Sequence, residues 1–138
     1  MRQNIHKFYL DIAKKYSERG TCPKLKVGAI LVKNNRIISA GYNGAPSGFE
    51  HCEDVIPMCY EEHNHCRNAM HAEESILSHC AKNGISTNDG VLYITLYPCL
   101  RCIKLLIESG IKTVYYINDY KNDENIFSNK IKIIKMEE

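Results

Sequence analysis

Nowhere does this chain run for the ~18 uninterrupted apolar residues that a membrane-spanning helix needs. Charges also interrupt its N-terminal run, MRQNIHKFYLDIAKKYSERG, too often for the apolar centre of a secretion signal. The expectation is a cytoplasmic protein with no membrane partner. An excess of charge is missing too: 18 Lys plus Arg stand against 16 Asp plus Glu, a net charge of +2. Composition therefore makes no general case for a nucleic-acid partner, although a local basic cluster could still hold a phosphate. There is no internal repeat, low-complexity tract or linker, and 138 residues make about one domain, so a single domain over 1–138 is expected. With 44% hydrophobic and 25% charged residues, that domain is globular rather than disordered.

Seven cysteines are present: Cys22, Cys52, Cys59, Cys66, Cys80, Cys99 and Cys102. An odd count in a reducing compartment argues against a disulfide framework and for metal ligands or buried thiols. Apolar residues at Ile5, Phe8, Tyr9, Ile12, Ala13 and Tyr16 recur with helical spacing, and Gly20 follows as a stop. Val27–Lys33 and Arg36–Asn43 read as two strands joined by a tight Asn34–Asn35 turn. Residues 44–64 carry two prolines, glycines and scattered charge, long for a loop unless something other than a core ties them down. A helix is predicted over His71–Lys82, ended by Gly84, with Cys80 on its apolar face as a small core residue. A strand over Val91–Tyr97, a helix opened by Pro98 and running to Glu108, and a strand over Ile111–Ile117 form a βαβ crossover, which makes the two strands parallel. KIKIIK (130–135) alternates like a last, edge strand whose lysines deter aggregation.

Two short motifs carry chemistry: HAE (71–73) and PCLRC (98–102). H-x-E…P-C-x-x-C is the signature of zinc deaminases, and its spacing has a physical reading. Cys99 and Cys102, three apart at a helix start, share one face of the first turn. The helix dipole there favours thiolates, the form that zinc binds. His71 comes from the start of another helix, and three protein ligands leave the fourth tetrahedral position open to water, as in a catalytic zinc site. Glu73, two residues from His71, points to a different side and is placed to reach that water rather than to ligate. It would take a proton from the water as hydroxide attacks the amidine carbon, then deliver protons to the ring nitrogen and the departing ammonia. A lone C-x-x-C could instead be a redox pair or half of a structural zinc site, and a lone H-x-E a coincidence. Both motifs together, in this order and both at helix starts, favour the catalytic site.

Over about Tyr16 to Tyr120 the chain resembles the cytidine deaminase superfamily, and within it the deoxycytidylate (dCMP) deaminases. The resemblance rests on TCPKLKVGAILVK (21–33), GYNGAPSG (41–48), HC (51–52), HCRN (65–68) before HAE, and GIKTVYY (110–116). GYNGAPSG is the most specific block, because general base deaminases seldom share it. Ser75 stands where the family commonly has Asn, and Asn68 where it commonly has Thr. The resemblance implies an α/β chain with a three-layer α/β/α cytidine deaminase-like fold around a mixed five-stranded sheet. It implies hydrolysis of dCMP to dUMP and ammonia, supplying thymidylate synthesis, with attack at C4. A homo-oligomer, up to a hexamer, and dCTP and dTTP as effectors are implied as well.

For substrate contacts it implies Asn43, on the deoxyribose or base, and Ala72; the alternative for Asn43 is bonding within its own turn. Arg19, Lys24 and Lys26 are the nearest basic cluster for a 5′-phosphate, although each alone could be a solvated surface charge. Tyr97 and Tyr120 could flank the pyrimidine or belong to the core. Relatives often carry a structural zinc in the cysteine-bearing segment, which would fix a stretch too poor in apolar residues to fix itself. The ligand set on that reading is Cys22, Cys52, Cys59 and Cys66, with His65 as substitute; the alternative is free thiols. Two zinc ions, one catalytic and one structural, are thus expected. Rival functions are a tRNA adenosine deaminase, a free-base or nucleoside deaminase, a riboflavin-pathway deaminase, and an inactive zinc-stabilised binding module. Against the last stands Glu73, for which a structural zinc has no use.

Overall fold

In the computed structural model, residues 1–22, 25–50, 69–120 and 125–138 are described in full, and 61–62 and 65–66 in backbone only. Helix α1 (Ile5–Ser17) starts at Asn4, whose side chain accepts from the His6 and Lys7 N–H groups, and ends with Lys14 and Lys15 in its last turn, where cations suit the helix dipole. Strands β1 (Gly28–Lys33) and β2 (Arg36–Tyr42) form the expected hairpin. Asn34 and Asn35 both take positive φ, 52° and 60°, as a two-residue turn matched to strand twist requires. Strands β3 (Glu61–Glu62) and β4 (His65–Cys66) pair antiparallel as a small separate sheet, β3 inside the 44–64 stretch expected to be irregular and β4 just past it. Helix α2 (Ala72–Asn83) ends at Gly84 in the left-handed region (φ 65°). Strand β5 (Val91–Leu96), helix α3 (Leu100–Glu108), strand β6 (Thr113–Asn118) and strand β7 (Lys132–Lys135) follow.

The main sheet has the order β2-β1-β5-β6-β7. It is mixed: β1 runs antiparallel to β2 and β5, whereas β5–β6 and β6–β7 are parallel, the former through the crossover helix α3. Strand β7 lies at one edge with Lys132 and Lys135 exposed. Alternation along the strands sorts side chains onto two faces. Ile30, Val32, Tyr93 and Ile117 pack against Tyr9 and Leu10 of α1. Ala29, Leu31, Leu92, Ile94 and Val114 pack against Ile76 and Cys80 of α2 and Ile103 and Leu106 of α3. These are the three layers α/β/α.

Two glycines bring the helices down onto the sheet. A Cβ on Gly28 would sit 2.1 Å from the Ala13 carbonyl oxygen and 2.3 Å from the Ser17 nitrogen, so α1 lies directly on β1. A Cβ on Gly41 would meet the Ala72 carbonyl oxygen and Ser75 Oγ, both at 3.1 Å, so the first turn of α2 is seated on β2. One boundary differs from expectation. Pro98 does not open α3: Cys99 is still extended (φ −69°, ψ 163°) and serves as the N-cap, and Leu100 is the first helical residue. Cys99 and Cys102 thereby become N-cap and N3, the two positions of a helix start whose groups face each other.

Candidate active site

At one end of the sheet, the starts of α2 and α3 converge. His71 is the N-cap of α2, with extended backbone (φ −71°, ψ 152°), and its position is set from both sides. Before it, Met70 and Gly44 exchange backbone hydrogen bonds of 2.7 and 3.2 Å, tying the start of α2 to the GYNG block. After it, Glu74 at N3 reaches back and accepts from the His71 N–H at 2.9 Å, the returning arm of a capping box. Strand β5 delivers the chain through Tyr97 and buried Pro98 to Cys99, and one helical turn later to Cys102, which is fully buried.

His71 Nδ1 lies 3.6 Å from Cys99 Sγ and 3.4 Å from Cys102 Sγ. All three donor atoms fall within 4.8 Å of one another, and among the described residues this is the one group of three or more His, Cys, Asp or Glu side chains so arranged. Tetrahedral zinc with Zn–S of about 2.3 Å and Zn–N of about 2.0–2.1 Å spaces N from S by about 3.6 Å. The donors are thus set out for a zinc ion.

Their electrostatics agree. The Cys99 thiol is pulled down to about 3, first by the hydrogen bond it accepts from the Cys102 thiol, with His71 and the Cys102 N–H adding. The Cys102 thiol is pushed up by the same hydrogen bond and by burial, so the metal-free pair shares one proton that a metal would displace. His71 is raised, foremost by its hydrogen bond with Cys99. Glu73, only 4% exposed, has its carboxyl pushed up to about 7, chiefly by burial.

These groups open into a pocket that is continuous with solvent. Of the residues singled out from sequence, Cys22, Asn43, His71, Ala72, Glu73, Tyr97, Cys99 and Tyr120 line it. Tyr97 meets Tyr116 edge-on at 5.0 Å between ring centres. Asn43 is buried with both ends of its amide engaged: Oδ1 accepts from the Val27 N–H at 2.7 Å, and Nδ2 donates to the Leu25 carbonyl. These partners lie on the segment leading into β1 and not in its own turn, and through them Asn43 holds Leu25 and Val27 as part of the pocket wall.

Two members of the basic cluster, Arg19 and Lys26, are described. Arg19 is exposed, and Lys26 donates its ammonium group to the Gly20 carbonyl just past the end of α1; neither lines the pocket. Lys24 lies outside the described residues, as do Cys52 and Cys59 and the side chains of His65 and Cys66. Cys22 is buried (4%) at the pocket wall.

Sequence reasoning missed the apolar wall made by Leu25, Val27, Ile94 and Leu96 together with Met70. Such residues carry no signature beyond being apolar. It also missed Glu74 and Arg101, whose carboxylate and guanidinium meet at 2.9 Å between the two ligand-bearing helices. The S/T-x-x-E form of a capping box was the signal for Glu74, obscured because the N-cap is a histidine.

Known proteins match this arrangement. The family model for the cytidine and deoxycytidylate deaminase zinc-binding region matches residues 3–118. ComE operon protein 2 of Bacillus subtilis (strain 168) is 46% identical over 103 residues, which cover 75% of this chain and 53% of that protein. The deoxycytidylate deaminase of Schizosaccharomyces pombe is 31% identical over 134 residues, covering 92% of this chain and 41% of that one. The chain thus spans about half the length of these two relatives. Among solved structures, the dCMP deaminase of the cyanophage S-TIM5, crystallised in complex with dCMP and dUMP, aligns with a TM-score of 0.84 at 34% identity over 99% of each chain. The mixed five-stranded sheet with three helices is the cytidine deaminase-like fold of that structure.

Proposed function

The chain belongs to the cytidine and deoxycytidylate deaminase family, and from that premise we propose that it hydrolyses dCMP to dUMP and ammonia. The observation that carries the reading is a buried carboxylate, Glu73, beside a three-donor metal cluster at the wall of an open pocket. The cyanophage enzyme, of matching length and holding dCMP and dUMP, supports the choice of substrate.

His71, Cys99 and Cys102 would hold the zinc, which when bound supplies Lewis acidity and lowers the pKa of a water toward 7. Glu73 takes one proton from the attacking water and hands it to the pyrimidine ring nitrogen. It then carries the second to the amino group, which leaves C4 as ammonia while the new oxygen becomes the carbonyl of dUMP. Burial suits Glu73 to both halves of this work, because a carboxyl near 7 gains and loses protons with comparable ease at neutral pH. Tyr97 and Tyr120 flank the base, and Ala72, between the ligand and the proton carrier, lies beneath it. Asn43, at the pocket wall with Leu25 and Val27, is assigned to the deoxyribose or base. The 5′-phosphate contact is assigned to the cluster of Arg19, Lys24 and Lys26 on the strength of its position in the sequence.

The same reading includes a structural zinc on Cys22, Cys52, Cys59 and Cys66, with His65 as substitute, regulation by dCTP and dTTP, and a cytoplasmic homo-oligomer up to a hexamer. Incubating the purified protein with dCMP, dCTP, deoxycytidine and cytosine and measuring ammonia release tests the substrate; preference for a compound without phosphate overturns it. Glu73→Ala should retain metal and lose turnover, and unchanged turnover would sink the assigned mechanism. Metal analysis giving about two zinc ions per chain supports the structural site, and one removes it. Rates with dCTP or dTTP added, and light scattering, test the effectors and the oligomer.

A further inference from the structure

The catalytic donors come from two separate helices, so their spacing depends on whatever fixes the start of α2 relative to the start of α3. His71 belongs to one and Cys99 and Cys102 to the other. Between them stands a single carboxylate with two tasks. Glu74 Oε1 accepts from the backbone N–H of His71 at 2.9 Å, and its Oε2 accepts from Arg101 Nη2, also at 2.9 Å. Arg101 is the third residue of the C-x-x-C turn, flanked by one cysteine donor two positions before it and the other immediately after. One side chain thus joins the backbone of the histidine donor to the turn that carries both thiols.

The placement of Arg101 argues that the contact has a purpose beyond a surface pairing. A cation in the first turn of a helix stands against the positive end of the helix dipole, and Arg101 occupies the second position of α3. Glu74 in the first turn of α2 is favourably placed, and its carboxylate offsets the charge of Arg101 across the gap. The Glu74 side chain is 25% exposed and that of Arg101 66%. An ion pair so open to water does little for global stability. What it does do is restrict where His71 can sit relative to the two sulfurs, which are only 3.4–3.6 Å away from its Nδ1.

We propose that Glu74 and Arg101 are positioning residues for the metal donors, a clamp between α2 and α3 that keeps His71, Cys99 and Cys102 at the spacing zinc takes. The proposal rests on the zinc-site reading above, and its test separates the two. Zinc-loaded protein, as purified, and the variants Arg101→Ala, Arg101→Lys, Glu74→Gln and Glu74→Ala are mixed with a chromophoric chelator, and the rate of zinc transfer is followed. A His71→Ala control identifies the phase that belongs to this site. The expected result is zinc release about tenfold faster in Arg101→Ala, in line with the usual effect of groups that orient metal ligands. Arg101→Lys, which keeps the charge, should recover much of the loss, while thermal denaturation shows an intact fold. Adding Arg101→Ala to Glu74→Ala should cost little more than Glu74→Ala alone, because the clamp is then already broken. For dCMP, kcat should fall with KM little changed.

Release in Arg101→Ala within twofold of the parent, or fully additive effects in the double variant, overturns the clamp. If Arg101→Ala should not fold, Glu74→Gln carries the same comparison, and parent-like release in it overturns the clamp as well. Clamp-dependent zinc release in a protein that does not deaminate dCMP would leave the clamp standing and remove the proposed substrate.

Discussion

Replacing Glu73 with glutamine should make the metal-free protein more stable above neutral pH, while abolishing its activity once metal is restored. The carboxyl is 4% exposed, and burial raises it from 4.5 to about 7. At about 1.36 kcal/mol per pH unit, that rise corresponds to about 3 kcal/mol of free energy spent keeping the ionised group in the fold. The folded protein holds this proton more tightly than the unfolded chain does. The cost is therefore absent below pH 4.5, grows as the pH climbs toward 7, and is complete above it. Glutamine is nearly the same shape and carries no charge to desolvate, so whatever its own amide costs does not change with pH. The assay is thermal denaturation of chelator-stripped parent and Glu73→Gln across pH 4.5 to 8.5. The difference in Tm should open with rising pH to about 10 °C, given a few degrees per kcal/mol for a chain of this size. With zinc restored, turnover of dCMP should fall by ~10²–10⁴ in the same variant, the usual contribution of a general acid–base group. A Tm difference that stays flat with pH would refute the argument, because it would mean that the carboxyl is not held neutral by burial.

Three further substitutions test how the scaffold holds this site. Gly28→Ala should destabilise by about 2–3 kcal/mol in chemical denaturation, because its methyl would run into the backbone of α1 at Ala13 and Ser17 and neither can yield as a side chain would. Asn43→Ala should cost about 2 kcal/mol, leaving the buried Val27 N–H without its acceptor, and should raise KM for dCMP as Leu25 and Val27 loosen; a raised KM at unchanged stability would instead make Asn43 a direct substrate contact. Thr21→Val should stabilise by about 1 kcal/mol, since Thr21 Oγ1 is buried without a hydrogen-bond partner among the described residues and valine keeps its shape. A drop in the denaturation midpoint would show that this hydroxyl serves a purpose.

The three clustered donors and the carboxylate beside them were legible because their residue types stand in neighbouring positions. His71 and Glu73 are two apart, Cys99 and Cys102 three apart, and the helix starts that hold them are marked by local signals. The Asn34–Asn35 turn was legible for the same reason, since positive φ is a preference of the residues themselves. Pro98 misled. It disfavours a helix before it but does not oblige one to start on it, and Cys99 after it is still extended. The basic cluster was legible only as charge near the pocket wall in sequence; that the Lys26 ammonium group lies against the Gly20 carbonyl depends on the fold.

By itself, then, the sequence determined whatever depends on residues within a turn or two of one another: the helices, the hairpin, the parallel crossover, the three donors and the buried acid that accompanies them. Tertiary structure alone decided what depends on segments far apart in the chain. Pairing of β1 with β5 brings together residues some 60 positions apart, Gly44 is stitched to Met70, and Glu74 meets Arg101 across 27 positions. Those contacts have no local signature, because each is selected by how the whole core packs and not by the preferences of the residues that make it. The chemistry of the pocket is thus carried by two short motifs, while its walls and the spacing of its donors belong to the fold.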